Sequence, residues 1–356
     1  MARKTRVLVV APGRRSKGGI SASVAAIMSS GELSLVSAYW AETMDDRSTI
    51  RKIASLFSAY INYLLRLPFS DLVHIHTSSG TSFYRKALFM SLALLFRKPY
   101  VLHIHPSHFI DFVNNANGIE KWIITHFSQC ATTVIALSEG TAIQLKRILG
   151  VNKVDVLPNP CPYPVMSNFS RDIRSREILF AGKIMKAKGC FELLNAFAIV
   201  VKKIPESRLV VAGNGEVERF KRHAEELGLS NHVAFTGWIE GEELLAAYQR
   251  ASILCLPSHS EGLPVSILQA MSQGVAVIAT PVGGIPEIIK SGVNGTLVPL
   301  SNEKALAEAI LYLLENDEIR FNIGINATQT IMNNYSADIV GKKMLSIYEV
   351  IVRDKS

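Results

Sequence analysis

Short apolar runs alternate with longer stretches of helical periodicity along the whole chain. In the first half, runs at 6–11, 33–39, 72–76, 100–105, 132–137 and 154–157 read as strands. In the second half the corresponding runs are 177–181, 208–212, 232–236, 253–256 and 275–279. Runs such as Val7-Leu8-Val9-Val10 do not alternate with polar residues, as expected for strands of a parallel sheet covered on both faces. The stretches 191–203, 216–227 and 242–250 repeat apolar residues at helical spacing and supply right-handed crossovers. Two successive βα series predict an α/β fold of two doubly wound parallel-sheet domains. After Ser301 the pattern is helical only, at 303–315, 318–333 and 337–352. No internal repeat interrupts this order.

The boundary between the series is marked by Leu157-Pro158-Asn159-Pro160-Cys161-Pro162-Tyr163-Pro164. Its alternate prolines read as a stiff linker, and a polar stretch to Arg176 follows. The predicted domains are therefore 1–165 and 166–336, with a last helix in 337–356. The start is basic and then apolar, but Pro12-Gly13-Arg14-Arg15 follows at once. A first strand fits this better than a signal peptide. The longest apolar stretch, 87–96, is half of the roughly 20 residues a bilayer requires and reads as a core or surface helix.

Charge changes the picture by its distribution. Lys and Arg number 38 against 30 Asp and Glu, a net +8. Residues 1–168 hold 18 basic and 9 acidic side chains, whereas 169–356 hold 20 and 21. The excess lies wholly in the first half, which favours one polarised positive surface over a uniform nucleic-acid coat. The four cysteines are far apart and form no CxxC, so neither a zinc ribbon nor a disulfide framework is implied, and a reducing compartment fits.

Candidate chemistry concentrates at three strand-to-helix turns of the second series. After the run ending at Leu256, Ser258-His259-Ser260-Glu261-Gly262-Leu263-Pro264 leads into a helix. The first amides of that helix suit an anion, Glu261 can accept hydrogen bonds from a polyol, and Gln269 lies further along. A merely capped helix is the alternative. Gly182-Lys183-Ile184-Met185-Lys186-Ala187-Lys188-Gly189 sets lysines and glycines at a second turn, suited to a diphosphate or simply a solvated basic loop. It is not a P-loop pattern. Gly213-Asn214-Gly215 forms a third turn. In a doubly wound sheet all three meet at the carboxyl edge, where ligands bind. In the first series, His74-x-His76 and His103-x-His105 each place two imidazoles on one strand face. They read as buried hydrogen-bonded groups or as metal ligands; no carboxylate adjoins them on that face.

These pieces resemble glycosyltransferase family 4, retaining enzymes of the two-Rossmann-domain GT-B type. The resemblance runs nearly continuously from Ile178 to Pro299. It takes in the Glu-Gly-x-Pro turn at 261–264, the block 270–280, Gly283-Gly284-Ile285-Pro286-Glu287 and the tail 292–299. It implies two Rossmann-like domains facing a cleft, an acceptor-binding first domain and a nucleotide-sugar-binding second one, with the last helix packed back on the first. It further implies that Glu261 contacts donor-sugar hydroxyls, that Lys183 and Lys188 hold the diphosphate, and that His105 faces the sugar. Gly262, Leu263 and Pro264 would meet phosphate and sugar through backbone amides, with Gly18-Gly19 approaching the diphosphate from the first domain. Gly182 belongs to the same phosphate turn; Gly213, Asn214, Gly215 and Trp238 fall near the base, Trp238 with packing as its other reading. Lys183 stands where the family has Arg, keeping the charge and losing the bidentate fork. Gln269 stands where the family has a second Glu gripping the ribose, with one acceptor oxygen and no charge. A weakly active or non-catalytic nucleotide-sugar-binding homologue is therefore the alternative.

The resemblance implies no cofactor and no metal; the nucleotide-sugar is a substrate, with UDP favoured and GDP open. No G-x-G-x-x-G opens the first helix, against a dinucleotide-dependent dehydrogenase. Arg14, Arg15 and Lys17 sit in the loop before the glycines, and Arg51, Lys52, Arg66, Arg85 and Lys86 flank apolar helices in the first domain. That pattern suits docking on an anionic membrane surface, the cytoplasmic face of a plasma membrane, to reach a polyprenyl-diphosphate-linked or saccharide acceptor of polysaccharide or lipopolysaccharide assembly. Helices with charged ends in water are the alternative. The bases are not interleaved with exposed aromatics, which disfavours nucleic acid.

Overall fold

The computed structural model describes residues 4–13, 19–43, 49–105, 108–166 and 176–354, without the side chains of Leu35 and of residues 49–53. The chain divides into two compact units, Met1–Pro162 with Ala337–Ser356, and Tyr163–Ser336.

The first unit holds six parallel strands: β1 (Thr5–Ala11), β2 (Val36–Glu42), β3 (Leu72–Thr77), β4 (Tyr100–Ile104), β5 (Thr133–Ala136) and β6 (Val154–Val156). Their order is β2-β1-β3-β4-β5-β6, so the winding reverses between β1 and β3. Period-two alternation splits the apolar strand residues between two cores. Leu8, Val10, Val73, Ile75 and Leu102 pack beneath the helices Thr49–Arg66, Thr81–Leu95 and Gly118–Gln129. Val7, Val9, Leu72 and Val101 pack on the opposite side against Val340, Met344, Tyr348 and Ile351 of the helix Ala337–Arg353.

One predicted strand is shortened. The run 33–39 begins as a 3-10 turn, Gly31–Leu35, and the strand starts only at Val36. Leu33 is buried in the core shared with the last helix, so tertiary burial rather than a ladder satisfies that apolar residue.

The second unit holds β7 (Glu177–Ala181), β8 (Arg208–Ala212), β9 (Val233–Gly237), β10 (Ile253–Leu256), β11 (Ala276–Ala279) and β12 (Thr296–Leu297). The order is β12-β11-β10-β7-β8-β9, again all parallel, with the reversal between β7 and β10. The two-residue β12, opposite Ile278 and Ala279, is too short to leave a pattern in the sequence. Among the described residues, no helix is long and apolar enough to cross a membrane.

Candidate functional site

The reversal between β7 and β10 sends their following segments in opposite directions and opens a crevice at the carboxyl ends of the strands. The turns after β7, β8 and β10 are tied together there by backbone contacts. Ile184 N–H donates to Asn214 O (2.7 Å), and Glu216 N–H donates back to Ile184 O (2.9 Å). His259 N–H donates to Ala187 O (2.9 Å). Gly213 lies so close to the Gly182 carbonyl that a Cβ would collide with it. Gly189, in the left-handed region at φ +67°, faces the Pro257 carbonyl in the same way. These approaches require glycine, because no flexible side chain is available to give way.

Lys188 and Glu261, 73 residues apart in sequence, meet in this wall. Lys188 Nζ lies 2.7 Å from Glu261 Oε1, and the Ser258 hydroxyl donates to the same oxygen at 2.7 Å. The Glu261 side chain is 5% exposed and that of Lys188 is 23% exposed. The carboxylate is thus fixed, while part of the lysine reaches solvent. Thr280 holds the turn by donating to Ser258 O, and Gly284 N–H donates to Gly262 O (2.7 Å). Gly262, Leu263 and Pro264 are buried, and the helix that follows spans Val265–Ser272.

Gln269 is buried on that helix, and its Oε1 accepts from the Tyr248 hydroxyl at 3.1 Å. One lone pair of its acceptor oxygen is therefore engaged within the protein, which leaves the second lone pair and the amide nitrogen to offer. Lys183, Asn214 and Gly215 are exposed, and Gly182 is half-buried. Trp238 is half-buried, with its indole N–H donating to Glu240 (3.1 Å). Ser258 and Tyr248 went unremarked in the sequence. Ser258 sits within the flagged turn, whereas nothing local marks Tyr248, 21 positions before its partner. A separate open pocket, lined by Lys186, Phe191, Arg219 and Arg222, lies outside the helices Cys190–Lys203 and Val217–Glu226. Of its two arginines Arg219 is already engaged, lying 4.7 Å over Phe191 and 2.8 Å from Glu216, and the Lys188–Glu261 pair at the strand ends is the better chemical site.

At the same edge of the first unit, the four histidines form a buried array. His76 Nδ1 and His105 Nε2 are 3.2 Å apart, and His74 Nε2 and His103 Nδ1 are 3.3 Å apart. His74 Nδ1 bonds the Tyr348 hydroxyl at 2.7 Å. The His74 and His103 rings are parallel within 3° with centroids 5.4 Å apart, so at that N···N distance they meet edge to edge. His74 stacks on His76 at 4.1 Å and His103 on His105 at 4.7 Å. Burial lowers all four pKa values, to about 3 for His74 and His105, with Lys86 adding to the effect at His76 and His105.

His74, His76 and His103 can each bring one ring nitrogen within 4.8 Å of the others. The facing His74 and His103 nitrogens point at each other, however, so an ion would have to replace that hydrogen bond rather than fill a waiting site.

Lys86 corrects one expectation. It does not face a membrane: it is 1% exposed on the helix Thr81–Leu95, and its Nζ donates to Ser82 at 2.9 Å. The physical reason is helical phase, since Lys86 shares a face with Phe83 and Met90, which are in the core. Burial pushes its pKa down to about 7. Arg85 beside it is half-buried; Arg66 is exposed and lies 4.5 Å over the Tyr39 ring. Gly19 opens the helix Gly19–Met28 and is exposed. Arg14, Arg15, Lys17 and Gly18 lie outside the described residues, as do the side chains of Arg51 and Lys52.

The family model for glycosyltransferase family 4 matches residues 2–162, and that for glycosyl transferases group 1 matches 168–330. The chain belongs to glycosyltransferase family 4. An uncharacterized glycosyltransferase of Methanocaldococcus jannaschii is 30% identical to this family 4 chain over 188 residues, 51% of the chain and 48% of the relative. A D-inositol 3-phosphate glycosyltransferase of Corynebacterium jeikeium is 34% identical over 159 residues, 42% and 38%. A capsular polysaccharide biosynthesis glycosyltransferase of Staphylococcus aureus is 26% identical over 240 residues, 63% of each. The chain spans less than two thirds of each of these relatives. Among solved structures, Anabaena Alr3699/HepE in complex with UDP aligns with a TM-score of 0.74 at 16% identity, covering 97% of this chain and all of that one. Sucrose-phosphate synthase of Thermosynechococcus elongatus aligns at 0.79 and 19%, covering 99% and 100%. The fold class of this family 4 chain is accordingly GT-B, α/β with two doubly wound parallel sheets.

Proposed function

We propose that this chain is a retaining glycosyltransferase. It moves a sugar from a nucleotide-diphosphate donor to a saccharide or polyprenyl-diphosphate-linked acceptor in polysaccharide or cell-envelope glycan synthesis. The observation that carries the reading is the Lys188–Glu261 pair at the reversal of the second sheet. A partly exposed cation held against a buried carboxylate offers adjoining sites for a diphosphate and for sugar hydroxyls. The arriving diphosphate takes Lys188 Nζ from Glu261, whose freed Oε1 accepts from a donor-sugar hydroxyl. Lys183 and the amides after Gly262 add to the phosphate site.

Charge grows on the leaving diphosphate as the glycosidic bond breaks, and positive groups already in place stabilise it without reorganisation. A leaving phosphate oxygen takes the proton of the acceptor hydroxyl on the same face, so no protein nucleophile and no metal ion enter the scheme. His105 contributes from the first unit by facing the sugar. The UDP of the Anabaena complex supports uridine as the base, and the capsular name of the staphylococcal relative supports a glycan product.

Peripheral docking on an anionic bilayer belongs to the same reading. The helices Thr49–Arg66 and Thr81–Leu95 and the turn between the first of them and β3 expose Phe57, Leu65, Phe69 and Leu95 at 66–74%. Arg66 beside them is exposed, and a lipid phosphate would bind it alongside its contact with the Tyr39 ring. Lys98 is less available, since its Nζ donates to Pro68 O and Ser70 O.

Nucleotide release from UDP-, GDP- and ADP-sugars, with and without bacterial lipid extract, tests the proposal. The expected result is UDP release that rises with lipid. UDP binding by thermal shift without turnover of any sugar nucleotide favours instead the weakly active binder, the reading to which Gln269 and its internal bond to Tyr248 point. Flotation with phosphatidylglycerol vesicles tests the docking, which must weaken with salt.

A further inference from the structure

We propose that His76 is a positioning residue that fixes His105 as a neutral hydrogen-bond donor, with its Nδ1–H turned toward the substrate. The inference rests on the reading above that His105 faces the sugar, but the pairing itself is independent of it.

His105 is placed by its backbone, whose N–H donates to Thr77 O (2.8 Å), and by a side-chain bond between its Nε2 and His76 Nδ1 (3.2 Å). The nitrogen left for a ligand is therefore Nδ1. A neutral imidazole carries one N–H and one lone pair, so the direction of the His76–His105 bond decides which of these Nδ1 offers. If His76 Nδ1–H donates, His105 takes its proton on Nδ1. If His105 Nε2–H donates, His105 Nδ1 is a bare lone pair and His76 must carry its own proton on Nε2.

That last nitrogen decides the matter. His76 Nε2 is buried and has no hydrogen-bond partner among the described residues. A buried N–H without an acceptor is rarer in folded proteins than an acceptor left bare. The arrangement that avoids it is His76 Nδ1–H donating to His105 Nε2. The His76 ring cannot readily turn to find another partner, because the tilted rings of His74 and His103 crowd it, with centroids 4.1 Å and 4.7 Å away.

Among the described residues, the titratable and charged groups packed around the pair are His74, His103, Tyr348 and Lys86. The burial that lowers the histidine pKa values keeps the pair neutral near neutral pH, so that it holds one shared N–H and not two. His105 then donates to a sugar oxygen and does not act as a base. A tautomer fixed in this way is a familiar task of a group one shell removed from the ligand.

The test reads the tautomer directly. In protein labelled with 15N-histidine, long-range 1H–15N correlation at pH 7.5 distinguishes Nδ1–H from Nε2–H, with His105→Gln assigning the signal. We expect Nδ1–H on His105 in the wild type and in His76→Asn, whose amide nitrogen stands where Nδ1 stood and can donate. In His76→Phe the preference should be lost. Turnover should follow: His76→Phe lowers kcat by roughly 10- to 100-fold, as for comparable supporting hydrogen bonds. The donor KM should stay nearly unchanged, and His76→Asn should recover most of the loss. Nε2–H on His105 in the wild type overturns the proposal, and that spectrum suffices if His76→Phe does not fold. Full turnover in His105→Ala with Nδ1–H intact in the wild type overturns the sugar-facing reading and leaves the pairing assigned.

Discussion

At the carboxyl edge of the second unit, Lys188 and Glu261 stand as a charged pair within a wall of backbone contacts. At the same edge of the first unit, four imidazoles bond to one another and to Tyr348, with Lys86 buried beside them. Both edges end parallel strands and both bury polar side chains, yet one keeps charge and the other suppresses it. The difference lies in the available partners. Glu261 has a cation and a hydroxyl within hydrogen-bond reach, which compensate its loss of water, and Lys188 stays partly wet. The histidines have one another and, among the described residues, no carboxylate partner, so neutrality is the favoured state. An edge that keeps a partly exposed cation can trade its partner for an incoming anion. An edge of neutral rings can orient hydrogen bonds but has little charge to exchange.

Lys188→Ala should separate the two edges most sharply. Losing the main cation of the phosphate site should lower turnover by about two to three orders of magnitude. The first unit should be untouched, and steady-state kinetics with hydrogen exchange over β3 and β4 checks both halves. Near wild-type turnover would refute the role given to the pair.

Acid should reverse the pattern. Unfolded histidines take up protons near pH 6.5, whereas His74 and His105 in the fold resist until about pH 3, and His76 and His103 are lowered in the same direction. Between those limits the unfolded chain binds more protons, so stability falls as pH falls. Each such histidine removes about 1 kcal/mol between pH 6.5 and 5.5. Lys86, lowered to about 7 from 10.5, adds the same sign between those two values. Hydrogen exchange at pH 7.5 and 5.5 should show β3 and β4 losing protection, with β7 and β10, which carry no histidine, changing less.

Gly189→Ala should damage the second edge alone. The added methyl meets the Pro257 carbonyl and the backbone is left-handed there, so a loss of ~3 kcal/mol is expected from crowding and strain together, read by urea unfolding. Tyr348→Phe is the mildest. It removes the hydroxyl that bonds His74 Nδ1 and should cost about 1–2 kcal/mol in the first unit, with the second unit unchanged.

The two edges were also unequally legible. The turn bearing Glu261 and the turn bearing Lys188 are each continuous in sequence, and each lies where a strand run gives way to a helical one. Their residue types alone pointed to an anion and a polyol. The histidine pairs were visible as i, i+2 repeats, and their shared face followed from strand geometry. Their bonding was not visible, because it depends on β3 lying beside β4 with His76 opposite His103. Lys86 reads in sequence as one more basic residue after Arg85. Only the packing of its helix on the sheet distinguishes the two, burying one and leaving the other half-exposed. Tyr248 and Tyr348 had no local signal at all.

What the sequence determined by itself was the periodicity: two βα series, the proline-marked boundary, and the polar turns at strand ends. Those features are local, since side-chain alternation and turn chemistry act within a few residues. Pairing came from the fold in three dimensions. It brought Lys188 to Glu261 across 73 positions, gave the Gln269 oxygen to Tyr248, and returned the last helix to the first unit so that Tyr348 reaches His74. Hydrogen bonds and ion pairs form within about 3 Å, and distance along the chain says nothing of distance in space until the strand order is fixed.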